Sequence, residues 1–223
     1  TTPKVQAIVD AYLTILATAD GTADNSDNPL ASDYAAIGVT DVNDDVEELL
    51  LLGEVIDGLA TTDVDAVSEV QAYADAVQSV MDAAAGDTSK PSIEELQKLG
   101  IDGLTADNMA LVQAAIGNTE TDGSGVDSIA KIQALVTDIV DEYATAKGVI
   151  ETYAKDGITA PQTSDYVQYG VTKVDDSNVA AINSAIDAQM GSDTILGNDN
   201  DSDAVDTTPK VQAIVDAYLT ILA

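Results

Sequence analysis

Apolar residues in the first seventeen positions recur at intervals of three and four: Val5, Ile8, Val9, Tyr12, Leu13, Ile15 and Leu16. That spacing draws a stripe along an α-helix, and Thr2 and Pro3 stand ahead of it as N-cap and first-turn proline. Shorter periodic stretches predict a second helix over residues 30–37, 92–99 and 163–169. Each lies just after a proline, Pro29, Pro91 or Pro161, which starts a helix without losing a hydrogen bond. A third set of stripes predicts helices over residues 44–59, 106–116 and 176–190. The order long helix, short helix, third helix thus occurs three times.

The repetition is literal at one point. The segment from Thr1 to Ala17 returns without change from Thr207 to Ala223, a displacement of 206 residues. Inside that period lies an older, degenerate repeat. Val-Asp, then three variable residues, then Lys or Glu, Val or Ile, Gln and Ala, begins at Val64, Val126 and Val205. Gln6, Gln71, Gln133 and Gln212 mark its register, at spacings of 65, 62 and 79 residues. Identity over a long period with weak likeness inside it is the pattern of units copied head to tail.

A second signature surrounds Gly38, Gly100 and Gly170. Four residues before each glycine stands Tyr34, Leu96 or Tyr166, and just after it Val39, Ile101 or Val171. A helix that ends on a left-handed glycine folds the next apolar residue back onto its last turn. The motif therefore predicts a helix-to-helix corner with positive φ at all three glycines. Asn43, Thr105 and Asp175, five residues on, are expected to cap the following helix.

These elements specify an all-α fold of tandem three-helix bundles arranged as an elongated repeat array. The expected divisions are 1–62, 63–124 and 125–190, the last with its first helix extended through Ala144 to Lys155 and Gly148 as its soft point. An acidic linker follows at 191–206, then the first helix of the next period at 207–223. The stripe Val211, Ile214, Val215, Tyr218, Leu219 and Leu222 is expected to find its partners in that next period or in another copy. The opening residues do not look like a natural start, so the sequence reads as excerpted.

Composition narrows the chemistry. The chain has no Cys, His, Trp or Phe, and its 8 cationic residues are all Lys. Disulfides, thiolate sites, and imidazole as base or metal ligand are thereby excluded. A net charge of −32 repels nucleic acid and anionic membrane surfaces, while the longest leucine run, Leu49 to Leu52, excludes a membrane span. Such acidity reads first as a solvated surface suited to salty water, with specific ion sites as the alternative.

Two clusters are candidates for calcium. Asp199, Asp201 and Asp203 place oxygens at alternate positions like the start of an EF-hand loop, but Ala204 replaces the sharp-turn glycine and Lys210 the bidentate Glu. Asp20, Asp24 and Asp27 form a second, irregular cluster. Adjacent carboxylates such as Glu47–Glu48, Glu94–Glu95 and Asp141–Glu142 do not face each other on a helix, and no enzymatic role is expected.

The corner motif, as it stands from Asp165 through Gly170 to Ile186, resembles helical repeats of giant surface adhesins of Gram-negative bacteria. The resemblance covers all three corners, with Glu95-Leu96 in the second where the third has Asp-Tyr. It implies type I secretion, an extracellular location at the cell surface, and a stalk, spacer or filament role. A weaker likeness is to the three-helix albumin-binding modules of Gram-positive surface proteins. The rival expectation is accordingly a protein-binding module that recognises a host or matrix protein. Expected partners are other copies of the chain, head to tail or laterally, with no nucleic acid and no membrane insertion.

Overall fold

A computed structural model describes residues 2–22, 28–188 and 204–222. The fold is all-α: ten helices and no strand among the described residues. They are α1 (Thr2–Thr18), α2 (Ala31–Ile37), α3 (Val46–Asp57), α4 (Val67–Ala84), α5 (Ile93–Lys98), α6 (Met109–Ile116), α7 (Ile129–Asp156), α8 (Thr163–Gln168), α9 (Val179–Asp187) and α10 (Thr208–Leu222). No described helix is long and apolar enough to cross a membrane. The predicted order of helices is therefore present, and α7 runs unbroken through Gly148.

The chain divides into two compact units. The first comprises residues 1–104 and 112–136, the second residues 105–111 and 137–223. In the first, α1 packs chiefly on α2 and also touches α3, while α4 lies against both α3 and α5. Its core is aliphatic: Ile15, Leu51, Leu52, Ile56, Val77, Val80, Leu96 and Ile116 are fully covered. The second unit buries Ile150, Tyr166, Tyr169, Ile182, Ile186 and Val205 around the later part of α7, with α8, α9 and α10. Tyr143 and Tyr169 stack obliquely there, ring centres 5.1 Å apart.

Helix starts are built from carboxylates. At the third position of α2, α5 and α8, Asp33, Glu95 and Asp165 reach back to the backbone N–H of Leu30, Ser92 and Gln162, at 2.9, 2.7 and 2.6 Å. Such a contact satisfies an amide that the helix leaves free and sets negative charge at the positive end of its dipole. The prolines lie just ahead of the second helices, as expected. Pro29, Pro91 and Pro161 precede the N-cap residues and are buried.

Capping of the third helices departs from expectation at the first corner. Asp45, not Asn43, caps α3, accepting from the N–H groups of Glu47 and Glu48, both at 3.1 Å. Asn43 instead donates from its backbone N–H to Glu48. Thr105 and Asp175 each accept from the backbone two or three residues on and open a turn, so α6 and α9 begin only at Met109 and Val179. Between α3 and α4 a short 3-10 turn, Thr61–Asp63, delays the helix restart to Val67.

One larger expectation is corrected. α10 does not wait for partners outside the chain. Val211 and Val215 are buried in the second unit, and α10 packs on α9. Its first half finds a complete seat because the corner after α8 offers an apolar face and free backbone groups together. Tyr218 and Leu219 are half-buried against the same core, while Ile221, outside the stripe, stays exposed.

Candidate functional site

The one construction the chain makes three times is the corner. At Gly38, Gly100 and Gly170 φ is +96°, +81° and +79°, as the motif predicts. The amide after each glycine returns to the carbonyl of the large residue: Val39 to Tyr34 at 3.0 Å, Ile101 to Leu96 at 3.0 Å, Val171 to Tyr166 at 2.8 Å. Tyr34, Leu96 and Tyr166 are buried, as are the residues that fold back onto them. Each corner is a Schellman-type stop closed by an apolar contact.

A second left-handed residue stands three places after each glycine: Asp41 (φ +62°), Gly103 (φ +87°) and Lys173 (φ +67°). Between the two left-handed positions the chain turns out one residue whose backbone N–H and C=O no helix satisfies. The register glutamine of the next long helix takes both. Thr40 donates its N–H to Gln71 Oε1 at 2.8 Å, and Gln71 Nε2 donates to the Thr40 carbonyl at 3.2 Å. Asp102 and Gln133 do the same at 2.9 and 3.4 Å, and Thr172 and Gln212 at 2.7 and 3.4 Å. A side-chain amide carries one donor and one acceptor side by side, so it pairs with a peptide edge-on, as a strand neighbour would. Asp75 and Asp216 hold the amides of Gln71 and Gln212 from one helical turn away. Lys173 adds an exposed ion pair to Asp216 at 2.9 Å, which contributes little by itself.

Behind two of the corners a second polar contact ties the third helix to the proline. Gln113 Nε2 donates to the Pro91 carbonyl at 2.9 Å, and Asn183 Nδ2 to the Pro161 carbonyl at 2.8 Å. Asn183 Oδ1 also accepts from the Tyr166 hydroxyl at 2.6 Å. At the first corner Leu51 occupies the matching place, and the Tyr34 hydroxyl has no partner among the described residues. Burial pushes the phenols of Tyr34, Tyr166 and Tyr169 far above the usual range, with smaller contributions from neighbouring acidic or phenolic groups. Tyr166 and Tyr169 act as neutral hydrogen-bond donors, to Asn183 and to the Val205 carbonyl.

The acidic candidates are only partly within view. Asp20 is exposed, pairs across an isolated bridge with Ala60, and accepts from the Thr22 N–H at 2.8 Å. Asp24 and Asp27, and the whole set Asp199, Asp201 and Asp203, lie outside the described residues. Among the described residues no group of three or more acidic side chains is placed to hold a metal ion.

One carboxylate of each of the first two pairs serves local structure. Glu95 is spent on Ser92, and Glu48 accepts from Asn43 in a recess shared with Asp45, Asp82 and Asp122. Burial raises the Glu48 carboxyl above its ordinary range; hydrogen bonds from Asn43 oppose this and repulsion from Asp45 and Asp82 adds to it.

The repeated helix presents a contrast that its sequence does not. Residues 2–17 of the first copy and 208–223 of the second are identical, yet Val5 is 60% exposed where its counterpart Val211 is fully covered. Val9 is 43% exposed and Val215 fully covered, while Ile15 is fully covered and Ile221 is 83% exposed. α1 thus uses its second half and α10 its first.

Sequence reasoning placed the glycines and the glutamine register but missed the clamp between them and the second left-handed position, for which Gly103 was the one visible signal. Comparison of the chain with protein-family models, with curated proteins and with solved structures returns no match.

Proposed function

We propose that the chain is a structural repeat segment of a secreted bacterial surface protein: a stalk, spacer or filament piece built of tandem three-helix bundles. The clamp carries this reading. Each corner is closed by the glutamine of the following long helix, α4, α7 or α10, so every repeat completes the one before it. Dependence on the adjacent repeat is the logic of an array, in which length is set by repeat number. The resemblance of the corner motif to adhesin repeats supports the extracellular location, and the charge of −32 suits a chain that must stay soluble and apart from its neighbours.

The rival, a module gripping a host or matrix protein, draws on the apolar residues Val5, Ile8, Val9 and Leu13 that α1 leaves exposed. The counterparts of Val5 and Val9 in α10 are spent on the chain's own helices, which favours the array. Small-angle scattering of chains carrying one, two and three 206-residue periods tests it. The array reading expects the maximum dimension to grow by a constant step per period; a dimension that levels off as periods fold onto one another refutes it.

A further inference from the structure

α4 shows what a long helix does when corners on both sides of it are at hand. Within the first unit its early residues Val70 and Ala74 are buried where Gln71 clamps the corner, and its later residues Ala76, Val77, Val80, Ala83 and Ala84 are buried as well. In repeat register, Val70 and Ala74 match Val5 and Val9 of α1 and Val211 and Val215 of α10. Ala76 and Val80 match Ala11 and Ile15, and likewise Ala217 and Ile221. α1 buries only the second set and α10 only the first. Together the two identical helices reproduce the burial of one complete α4.

The two sets do not compete for space on the helix. At 3.6 residues per turn the early pair points roughly a third of the way round from the later pair. One helix can therefore occupy both seats at once. The open half of α10 is already shaped for a partner: Ala185, Ala213, Ile214, Ala217, Tyr218 and Ile221 line an open apolar groove. On the other side, Gln6 lies on Asp10 at 2.7 Å, as Gln71 lies on Asp75, but has no corner peptide to clamp.

We propose that the repeated helix is the docking element between copies of this chain. α10 of one copy keeps Val211, Gln212 and Val215 on its own corner and seats Ala217 and Ile221 against α2 and α3 of a second copy, in place of that copy's α1. The mirror arrangement uses the same surfaces: α1 of the second copy keeps Ala11 and Ile15 on its own unit and brings Val5, Gln6 and Val9 to the first copy's corner. The inference rests on the array reading and names its joint: a shared helix, with no spacer between successive periods.

In the intact chain both seats are filled from within by the same side chains, so exchange gains few new contacts. Emptying one seat exposes the preference. Ile15→Asp puts a charge into a fully covered site and releases α1; α10 of a second copy then fills the seat. Sedimentation velocity is expected to show concentration-dependent head-to-tail oligomers for this variant where the parent chain sediments as a monomer. The double variant Ile15→Asp with Ile221→Asp is expected to return to monomer.

Val211→Asp empties the other seat, with Val5→Asp as its matching second change, so the test does not depend on either variant alone. Monomers for both single variants across the concentration range, or oligomers that persist in the double variants, overturn the proposal. The scattering series on linked periods reads length alone, so failure of the joint and failure of the array reading are told apart.

Discussion

The register glutamine offers a test in which the sequence supplies its own control. Gln6 and Gln212 sit in identical seventeen-residue segments, but only Gln212 clamps a corner. Replacing Gln212 by Ala removes the two clamp bonds, Thr172 N–H to Oε1 at 2.7 Å and Nε2 to the Thr172 carbonyl at 3.4 Å, together with exposed contacts from the Thr172 hydroxyl and to Asp216 at 3.1 and 3.2 Å that water replaces. A net hydrogen bond contributes about 1 kcal/mol, and the long one a fraction of that. Thr172 is exposed, so water takes over its groups and no further penalty for an orphaned buried amide arises.

The expected loss is about 1–1.5 kcal/mol for the second unit, whereas Gln6→Ala, with only an exposed Asp10 contact to lose, is expected to cost less than about 0.5 kcal/mol. Urea melts followed by circular dichroism measure the difference, at dilution so that copies do not meet. Hydrogen exchange at the Thr172 amide adds a local reading, with protection falling roughly tenfold for 1.4 kcal/mol. Equal costs for the two substitutions, or none for Gln212→Ala, refute the clamp.

Other consequences are more local. Tyr34→Phe removes a buried hydroxyl that has no partner and is expected to leave stability unchanged or raise it by up to about 1 kcal/mol; Tyr166→Phe breaks a bond to Asn183 and is expected to cost about 1–2 kcal/mol, both read from denaturant melts. An alanine Cβ at Gly38 or Gly100 meets nothing within 4 Å, so Gly→Ala there is expected to cost only the left-handed conformation, about 1–2 kcal/mol in thermal melts. Asp41→Gly relieves a left-handed residue and forfeits one exposed contact from Thr40, with an expected gain of about 0.5 kcal/mol. Hydrogen bonds from Ser177 hold the Asp175 carboxyl below its ordinary range, and bonds from Ser124 do the same for Asp122. Their stabilisation is present above the unfolded Asp value of about 4 and lost as pH falls through the lower folded value; melts of the variant with both changed to Asn are expected to show a flatter acid limb.

What could be read from the chain follows from what side chains alone encode. Gly38, Gly100 and Gly170 announce their geometry because positive φ penalises other residues, so the corners were legible. The clamp was not, because its target is a backbone peptide, and a peptide has no letter of its own. Gln71 could be recognised as a fixed position without any hint that its partner lay 31 residues earlier. The second left-handed position was hidden for a related reason: Asp41 and Lys173 adopt it under the constraint of the corner, and only Gly103 declares it. Pro91 and Pro161 are used for their carbonyls, which accept from Gln113 and Asn183, rather than for a missing N–H at a helix start. The stripe of α10 was expected to find its partners outside the chain, and periodicity could not say that Val211 and Val215 would be seated within it while Ile221 stays exposed.

A charge of −32 on 223 residues raises the question of how the chain folds without cations to match, and the corners answer part of it. Four lysines of the described chain form ion pairs, with Asp127, Glu151, Asp216 and Asp206, all partly or largely exposed and individually weak. Many other carboxylates are neutralised in a different way, by backbone amides. Asp33, Asp45, Asp63, Glu69, Glu95 and Asp165 each accept from N–H groups at the start of a helical segment, where the unpaired amides carry partial positive charge.

A chain made of many short helices has many such starts, so a short-helix repeat can carry an acidic composition that one long helix could not. The preference for Asp follows as well, because its short side chain reaches a nearby amide with little rotamer freedom to lose. What remains uncompensated lies on the surface, where ions screen it. Repeat architecture and acidity are thus coupled in this chain: the starts of α2, α3, α4, α5 and α8 each stabilise a carboxylate.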